Sequence, residues 1–151
     1  MFNAAGNYGE TEYSKPLGQD AYATVRINED LLNSFANGTE DYVFVVQTIF
    51  HEFVHVKQIL SLDGFKDHGN KAENEFEAYY FESKNECISL DVKRQTWEYG
   101  WIPIRYLENS PNAADLINKH KNEIEEMLAR VPKNAAENMK KEIKKKTNVS
   151  L

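Results

Sequence analysis

The sequence of 151 residues contains little cysteine and no long apolar run, and these absences exclude several classes of protein. The single cysteine, Cys87, excludes an internal disulfide framework and a zinc site built from several cysteines. No apolar run approaches the roughly 20 residues that a membrane-spanning helix needs, so we expect no membrane span. The net charge of −6 disfavours a nucleic acid as partner, because phosphates repel an acidic surface.

The first residues, MFNAAGNYGETEY, lack the basic and apolar regions of a secretory signal peptide. We therefore expect the protein either to act where it is made or to be delivered as part of a larger protein. The localisation is left open between these two cases.

Hydropathy patterns predict a predominantly helical α+β fold in a single domain, residues 1–151, with one small β element. The aromatic segment 95–107 is interrupted by Gly100 and Pro103, which indicates an irregular packing loop. The other expected elements are an irregular lead-in (1–20), a half-buried strand (21–27), long helices at about 39–62 and 71–92, a third helix capped by Ser110, and a weakly packed C-terminal helix or tail (133–151).

The segment QTIFHEFVHVKQ, from Gln47 to Gln58, places two histidines and an acid within an apolar helix. At 100° per residue, His55 lies about 40° from His51, one turn along the helix, so both imidazoles can reach one metal ion. Glu52 lies about 100° from His51, at the flank, where it can contact a water beside the metal without binding the metal itself.

The rest of this helix favours a metal site over two histidines packed in a core. Most of its circumference is apolar, and Gln47, Thr48 and Gln58 lie beside the histidines in one narrow polar stripe. A surface helix has a broad charged face instead. A largely apolar helix with a single polar stripe is therefore expected to line a cleft.

A third ligand is needed, and two known patterns fail. A metzincin requires Gly and His where this chain has Gln58 and Ser61, and a deformylase-like site requires a cysteine before the helix, whereas Cys87 follows it. His68 is a conceivable ligand whose spacing matches no pattern.

The acidic segment KAENEFEAYYFESKNE offers better candidates. Helical phase places Glu77 on the apolar arc of its helix, where a carboxylate must be paired or bound to a metal. We predict Glu77 as the third ligand, with Glu73, one turn earlier, as its substitute. The same phase predicts a solvated acidic face, formed by Glu75, Glu82 and Glu86.

Two histidines in H-E-x-x-H followed by a glutamate on the next long helix resemble the gluzincins, the thermolysin-like zinc peptidases. In that family the glutamate often directly precedes alanine, as Glu77 precedes Ala78 here. The resemblance implies a minimal zincin-like domain with an active-site helix pair, and one Zn²⁺ bound by His51, His55 and Glu77. It also implies hydrolysis of peptide bonds by a metal-activated water, with Glu52 as general base.

The two motifs look still more like the compact metallopeptidase domains of bacterial polymorphic toxins, including Rhs-type proteins. This resemblance covers about residues 39–92 and implies a protein or peptide substrate and a cognate immunity or carrier protein. The regulatory ImmA/IrrE metallopeptidases are similar in the same two helices. An intracellular regulatory peptidase is therefore one alternative, and a non-catalytic binding module with a structural metal is another.

Two further expectations concern catalysis. The developing oxyanion needs a donor besides the metal, and His120, Tyr99 and Tyr106 are candidates that the sequence does not separate. The resemblance to zincins implies that the strand at 21–27 pairs with extended substrate, whereas a strand that only covers the core is the alternative. The acid that often follows the gluzincin glutamate is replaced by Phe81, so support for the metal ligands must come from elsewhere.

Overall fold

The structure is a computed structural model that describes residues 8–38, 42–84 and 102–151. Within these residues, seven helices and two strands form a predominantly helical α+β fold, as predicted. The chain divides into two compact units, residues 1–69 with 85–89 and residues 70–84 with 90–151. A single domain stays a prediction. None of the described helices is long and apolar enough to cross a membrane.

The first unit contains an antiparallel hairpin of strands β1 (Gly9–Ser14) and β2 (Tyr22–Ile27). Gly9 pairs with Ile27 at one end, and Ser14 pairs with Tyr22 at the other. The strand β2 confirms the predicted strand, whereas β1 lies in the segment that was predicted to be irregular. Glycine and acidic residues are uncommon in strands, so the sequence of β1 does not indicate one. The strand is stabilised by its pairing with β2 and not by local propensity.

Two helices complete the described part of the first unit. Helix α1 (Glu29–Ala36) begins after Asn28, whose side chain accepts a hydrogen bond from the Asp30 amide at 2.7 Å. Helix α2 (Tyr42–Leu60) packs against both strands and carries the two histidines.

Helix α2 buries its polar stripe and exposes part of its apolar arc. The buried polar residues are Gln47, Thr48, His51, Glu52 and Gln58. Large apolar side chains at Tyr42, Ile49 and Phe53 are 60%, 47% and 54% exposed. The sequence predicted that the apolar arc would be packed and the polar stripe would line a cleft. At Glu52 the polar side faces inward because β1 packs there and Thr11 donates a hydrogen bond to its carboxylate.

The second unit is helical in its described residues, and its five helices surround an apolar core. The helices are α3 (Lys71–Lys84), α4 (Ile102–Glu108), α5 (Ala113–Lys119), α6 (Lys121–Leu128) and α7 (Lys133–Thr147). The core is formed by Phe76, Tyr80, Ile104, Leu107, Leu116, Ile117, Ile124, Met127, Leu128, Ala136, Met139, Ile143 and Val149.

Part of the predicted aromatic loop is helical, because α4 covers residues 102–108. Pro103 occupies the first turn of α4, where a missing amide hydrogen costs nothing, so this proline does not prevent the helix. Residues 95–101 of the predicted loop and residues 85–92 of the predicted second helix lie outside the described part of the chain.

The predicted third helix is two helices. Asn112, and not Ser110, precedes the first of them, and the helix breaks at His120, whose φ and ψ are −101° and 22°. The C-terminal helix α7 was predicted to be weakly packed, yet its Met139 and Ile143 are almost fully buried in the core. The apolar stripe of α7 is thin because only one side of the helix faces the core.

Candidate metal centre

The two histidines of α2 point their Nε2 atoms at each other. These atoms are 3.2 Å apart, and the two rings meet edge to face with centroids 4.8 Å apart. Two imidazole nitrogens at this distance need a proton or a cation between them, because their lone pairs repel. Two Zn–N bonds of about 2.05 Å at a tetrahedral angle place the nitrogens about 3.3 Å apart, close to the observed separation.

Gln58 orients the second histidine from one turn further along the helix. The Nδ1 atom of His55 donates a hydrogen bond to the Gln58 Oε1 atom at 2.8 Å. This bond leaves the lone pair on Nε2, the atom that faces His51. Gln58 is 1% exposed, so it is a buried partner of the imidazole and not a surface residue. Gln58 thus supports the candidate ligand His55, a role that the sequence analysis assigned to no residue.

Glu75 is the carboxylate that groups with the histidines. One ligand atom from each of His51, His55 and Glu75 lies within 4.8 Å of the other two. His51 is buried, and the other two side chains are half-buried. Two imidazoles and a carboxylate are a donor set that zinc takes in proteins. This group could therefore hold a metal ion.

The predicted third ligands lie outside this group. Glu77 is half-buried and, among the described residues, is not part of any cluster that could hold a metal. Glu73 is buried, and its Oε1 atom accepts hydrogen bonds from His120, at 2.8 Å, and from Lys119. His68 is half-buried and also lies outside the group. Glu75 is the carboxylate of this group, and Glu77 as a ligand stays a prediction.

The acidic face predicted for α3 needs a correction as well. Glu75 is half-buried and Glu82 is 4% exposed, although both were predicted to be solvated. Helical phase gives angles around one helix, but it does not give the direction in which neighbouring elements pack. Glu86, the third member of that face, lies outside the described residues.

Glu52 is buried beneath the first strand. The Thr11 hydroxyl donates to the Glu52 Oε2 atom at 2.7 Å and lies 3.1 Å from the Glu52 carbonyl oxygen. Gly9, two residues earlier on β1, lies so close that an added Cβ would be 2.6 Å from the Glu52 Cγ and Oε1 atoms. The candidate general base is thus 5% exposed and is held by β1.

Of the three candidate oxyanion donors, His120 and Tyr106 differ in their surroundings. Tyr99 lies outside the described residues. The His120 ring is buried against Phe76, with ring centroids 4.9 Å apart, and its Nε2 atom is bonded to Glu73. Tyr106 is half-buried on α4, where burial and the charge of Glu75 raise the pKa of its phenol. The Tyr106 phenol is therefore affected by the charge of Glu75, whereas the His120 Nε2 atom is hydrogen-bonded to Glu73.

Sequence reasoning singled out His51, Glu52 and His55 through their spacing and did not single out Glu75 as a ligand or Thr11 as a partner of Glu52. Gln58 had a usable signal, since it lies in the polar stripe beside the histidines. Thr11 had none, because it precedes Glu52 by 41 residues and contacts it only through the packing of β1 on α2.

Comparison of the chain with protein-family models, curated proteins and solved structures finds no match.

Proposed function

We propose that this protein is a zinc-dependent peptidase whose metal ligands are His51, His55 and Glu75 and whose general base is Glu52. One observation carries the proposal. The Nε2 atoms of two histidines one turn apart lie 3.2 Å from each other, beside a buried glutamate and grouped with a carboxylate. Metallopeptidases with the H-E-x-x-H motif use this combination of two imidazoles and a flanking acid.

The donor set suits zinc in number as well as in kind. Three protein ligands leave one position for water or substrate, which is the arrangement of catalytic zinc sites and not of closed structural ones. A bound zinc ion would polarise a substrate carbonyl and lower the pKa of a water to about 7. The Gln58 hydrogen bond supports this role, because it keeps the His55 Nε2 atom free of a proton.

Glu52 performs the proton transfers in this proposal. Its carboxylate accepts the proton of the attacking water and then donates it to the amine that leaves when the peptide bond breaks. The Thr11 hydrogen bond to Oε2 holds this carboxylate in place. The buried setting strengthens the electrostatic interactions in the site, since little water competes.

Tyr106 is the donor that we assign to the developing oxyanion. Its phenol is protonated at neutral pH and can donate a hydrogen bond, and burial raises its pKa further. The charge of Glu75, a proposed ligand, also contributes to that rise. His120 is a weaker candidate, because its Nε2 atom is bonded to the buried Glu73.

The substitution Glu52→Gln tests the proposal. We expect the variant to retain zinc and fold while cleavage of fluorogenic casein and of a mixed peptide library falls by roughly 10²- to 10⁴-fold. Glu125→Gln is the matched control, because Glu125 is exposed on α6 and its loss should leave cleavage unchanged. Zinc-loaded protein that cleaves none of these substrates, or a Glu52→Gln variant as active as the parent, would contradict the proposal.

A further inference from the structure

Strand β1 meets the Glu52 side chain at two consecutive positions of one strand face. Gly9 and Thr11 point the same way, since side chains alternate along a strand. Thr11 donates to Oε2 at 2.7 Å, and Gly9 lies against Cγ and Oε1. Among the described residues, Thr11 is the one hydrogen-bond donor to this carboxylate.

Gly9 is required for space and not for backbone conformation. A Cβ at this position would lie 2.6 Å from the Glu52 Cγ and Oε1 atoms and 2.9 Å from Cδ. Gly18, Gly38 and Gly64, in contrast, have positive φ and nothing within 4 Å of an added Cβ. The atoms that an alanine at position 9 would meet belong to a flexible side chain, so the carboxylate would move and the fold would survive.

The register of the hairpin fixes which residues of β1 face Glu52. Gly9 pairs with Ile27, and Thr11 pairs with Val25. A shift of one residue would turn the opposite face of β1, with its acidic Glu10 and Glu12, toward the Glu52 carboxylate. In the observed register the Arg26 guanidinium forms an ion pair with Glu12 on that opposite face, and this ion pair opposes the shift.

We propose that Gly9 and Thr11 are positioning residues for Glu52: the Thr11 hydroxyl holds Oε2, and the absence of a side chain at Gly9 leaves room for the carboxylate in this position. A general base must lie within hydrogen-bond reach of the proton that it accepts, and displacement by about 1 Å can cost about 100-fold in rate. A free glutamate side chain samples many rotamers, and the two contacts restrict Glu52 to one. The inference rests on the proposed function, because it assigns Glu52 the role of general base.

Substitutions at Thr11 separate positioning from simple packing. We expect Thr11→Val to lower kcat by roughly 10- to 100-fold with KM within about twofold, because a hydrogen bond to a charged group is lost. Thr11→Ser keeps the hydroxyl and should restore kcat to within about threefold of the parent. Thr24→Val on β2 is the matched control, since Thr24 faces away from Glu52 with its partner Glu12.

Gly9→Ala tests the steric contact. We expect kcat to fall by about 100-fold while zinc content, circular dichroism and melting temperature stay close to those of the parent. A Gly9→Ala variant with the parent's kcat would overturn the role of Gly9.

A second readout distinguishes failure of this inference from failure of the peptidase assignment. In zinc-loaded protein labelled with ¹³C at the glutamate carboxyl carbon, the resonance that disappears in Glu52→Gln reports on Glu52. We expect Thr11→Val to move it and Thr11→Ser to leave it in place. An unmoved resonance in Thr11→Val, with kcat within twofold of the parent, overturns the inference. An inactive parent whose resonance moves in Thr11→Val refutes the general-base role but upholds the contact.

Discussion

The two units of this protein bury different kinds of side chain. In the second unit the core is apolar and draws on all five described helices. Among the described residues of the first unit, the buried apolar ones are Leu31, Val45 and Val54, whereas five polar residues of α2 are buried. All the large apolar side chains that are exposed in the described part of the chain belong to the first unit.

This difference shows what burying polar side chains costs the first unit. Helix α2 turns a histidine pair and a glutamate inward, so Ile49 and Phe53 are left in solvent instead of forming a core. Burying an apolar side chain stabilises a fold by about 1.5–3 kcal/mol, and these residues forgo that gain. We therefore expect the first unit to depend more on polar contacts, such as the hydrogen bond from Thr11 to Glu52, than the second unit does.

Matched isoleucine substitutions should show the largest difference between the two units. Ile117 is fully buried in the second unit, whereas Ile49 is 47% exposed on α2. We expect Ile117→Ala to lower the free energy of unfolding by about 2–5 kcal/mol, because it removes buried methyl groups and leaves a cavity. Ile49→Ala should change it by no more than about 0.5 kcal/mol. Denaturant titration measures the free energy of unfolding of both variants. Equal losses would contradict the difference between the two units.

Zinc should stabilise the helices that carry its proposed ligands, α2 and α3, more than it stabilises α7. At a concentration about 100 times its Kd, a ligand that binds only the folded state adds about 2.7 kcal/mol. We expect hydrogen exchange in α2 to slow by up to about 100-fold on zinc addition, while exchange in α7 stays unchanged. His51→Ala should abolish the effect. Equal protection of the two helices, or protection that survives in His51→Ala, would argue against a metal held by α2.

Gln58 offers a smaller and more specific test of the same helix. Loss of a partner that orients a ligand typically weakens metal affinity by 10- to 100-fold, so we expect about that loss of zinc affinity in Gln58→Leu. Gln58→Glu should restore affinity, because a carboxylate also accepts the His55 Nδ1 proton. Zinc titration with a competing chelator measures both. Unchanged affinity in Gln58→Leu would mean that the hydrogen bond has no part in binding.

The smallest effect concerns a surface network of the second unit. The Tyr80 hydroxyl donates to Glu126 at 2.6 Å, and this bond, with Lys84, holds the Glu126 pKa below its ordinary value of 4.5. A lowered carboxyl pKa contributes stability above pH 4.5 that is lost as the pH falls through the lowered pKa. Glu126→Gln should therefore flatten the fall in unfolding midpoint below that pH. An unchanged slope would show that the network contributes nothing.

The sequence predicted the features that depend on local periodicity. The spacing of His51, Glu52 and His55 follows from the helix itself, and the alternation of residues 22–27 revealed β2. The C-terminal helix α7 was predicted as well, although its tight packing was not.

Features that depend on packing between distant segments were missed. Strand β1 needs β2 as a partner, and Thr11 meets Glu52 only when the hairpin packs on α2. Glu77 was preferred over Glu75 because helical phase was read against the apolar residues of α3. The buried positions of α3 include Glu73 and Glu82, so apolar neighbours alone do not identify the buried side of this helix.

The measurement that tests the account most directly is the zinc content of the purified protein, determined by elemental mass spectrometry without chelator. The account predicts about one zinc ion per chain in the parent and in Glu77→Gln, and loss of zinc in His51→Ala and Glu75→Gln. Zinc kept by Glu75→Gln but lost from Glu77→Gln would make Glu77 the ligand. A parent that binds no zinc even after its addition would contradict the metal centre, and with it the proposed peptidase.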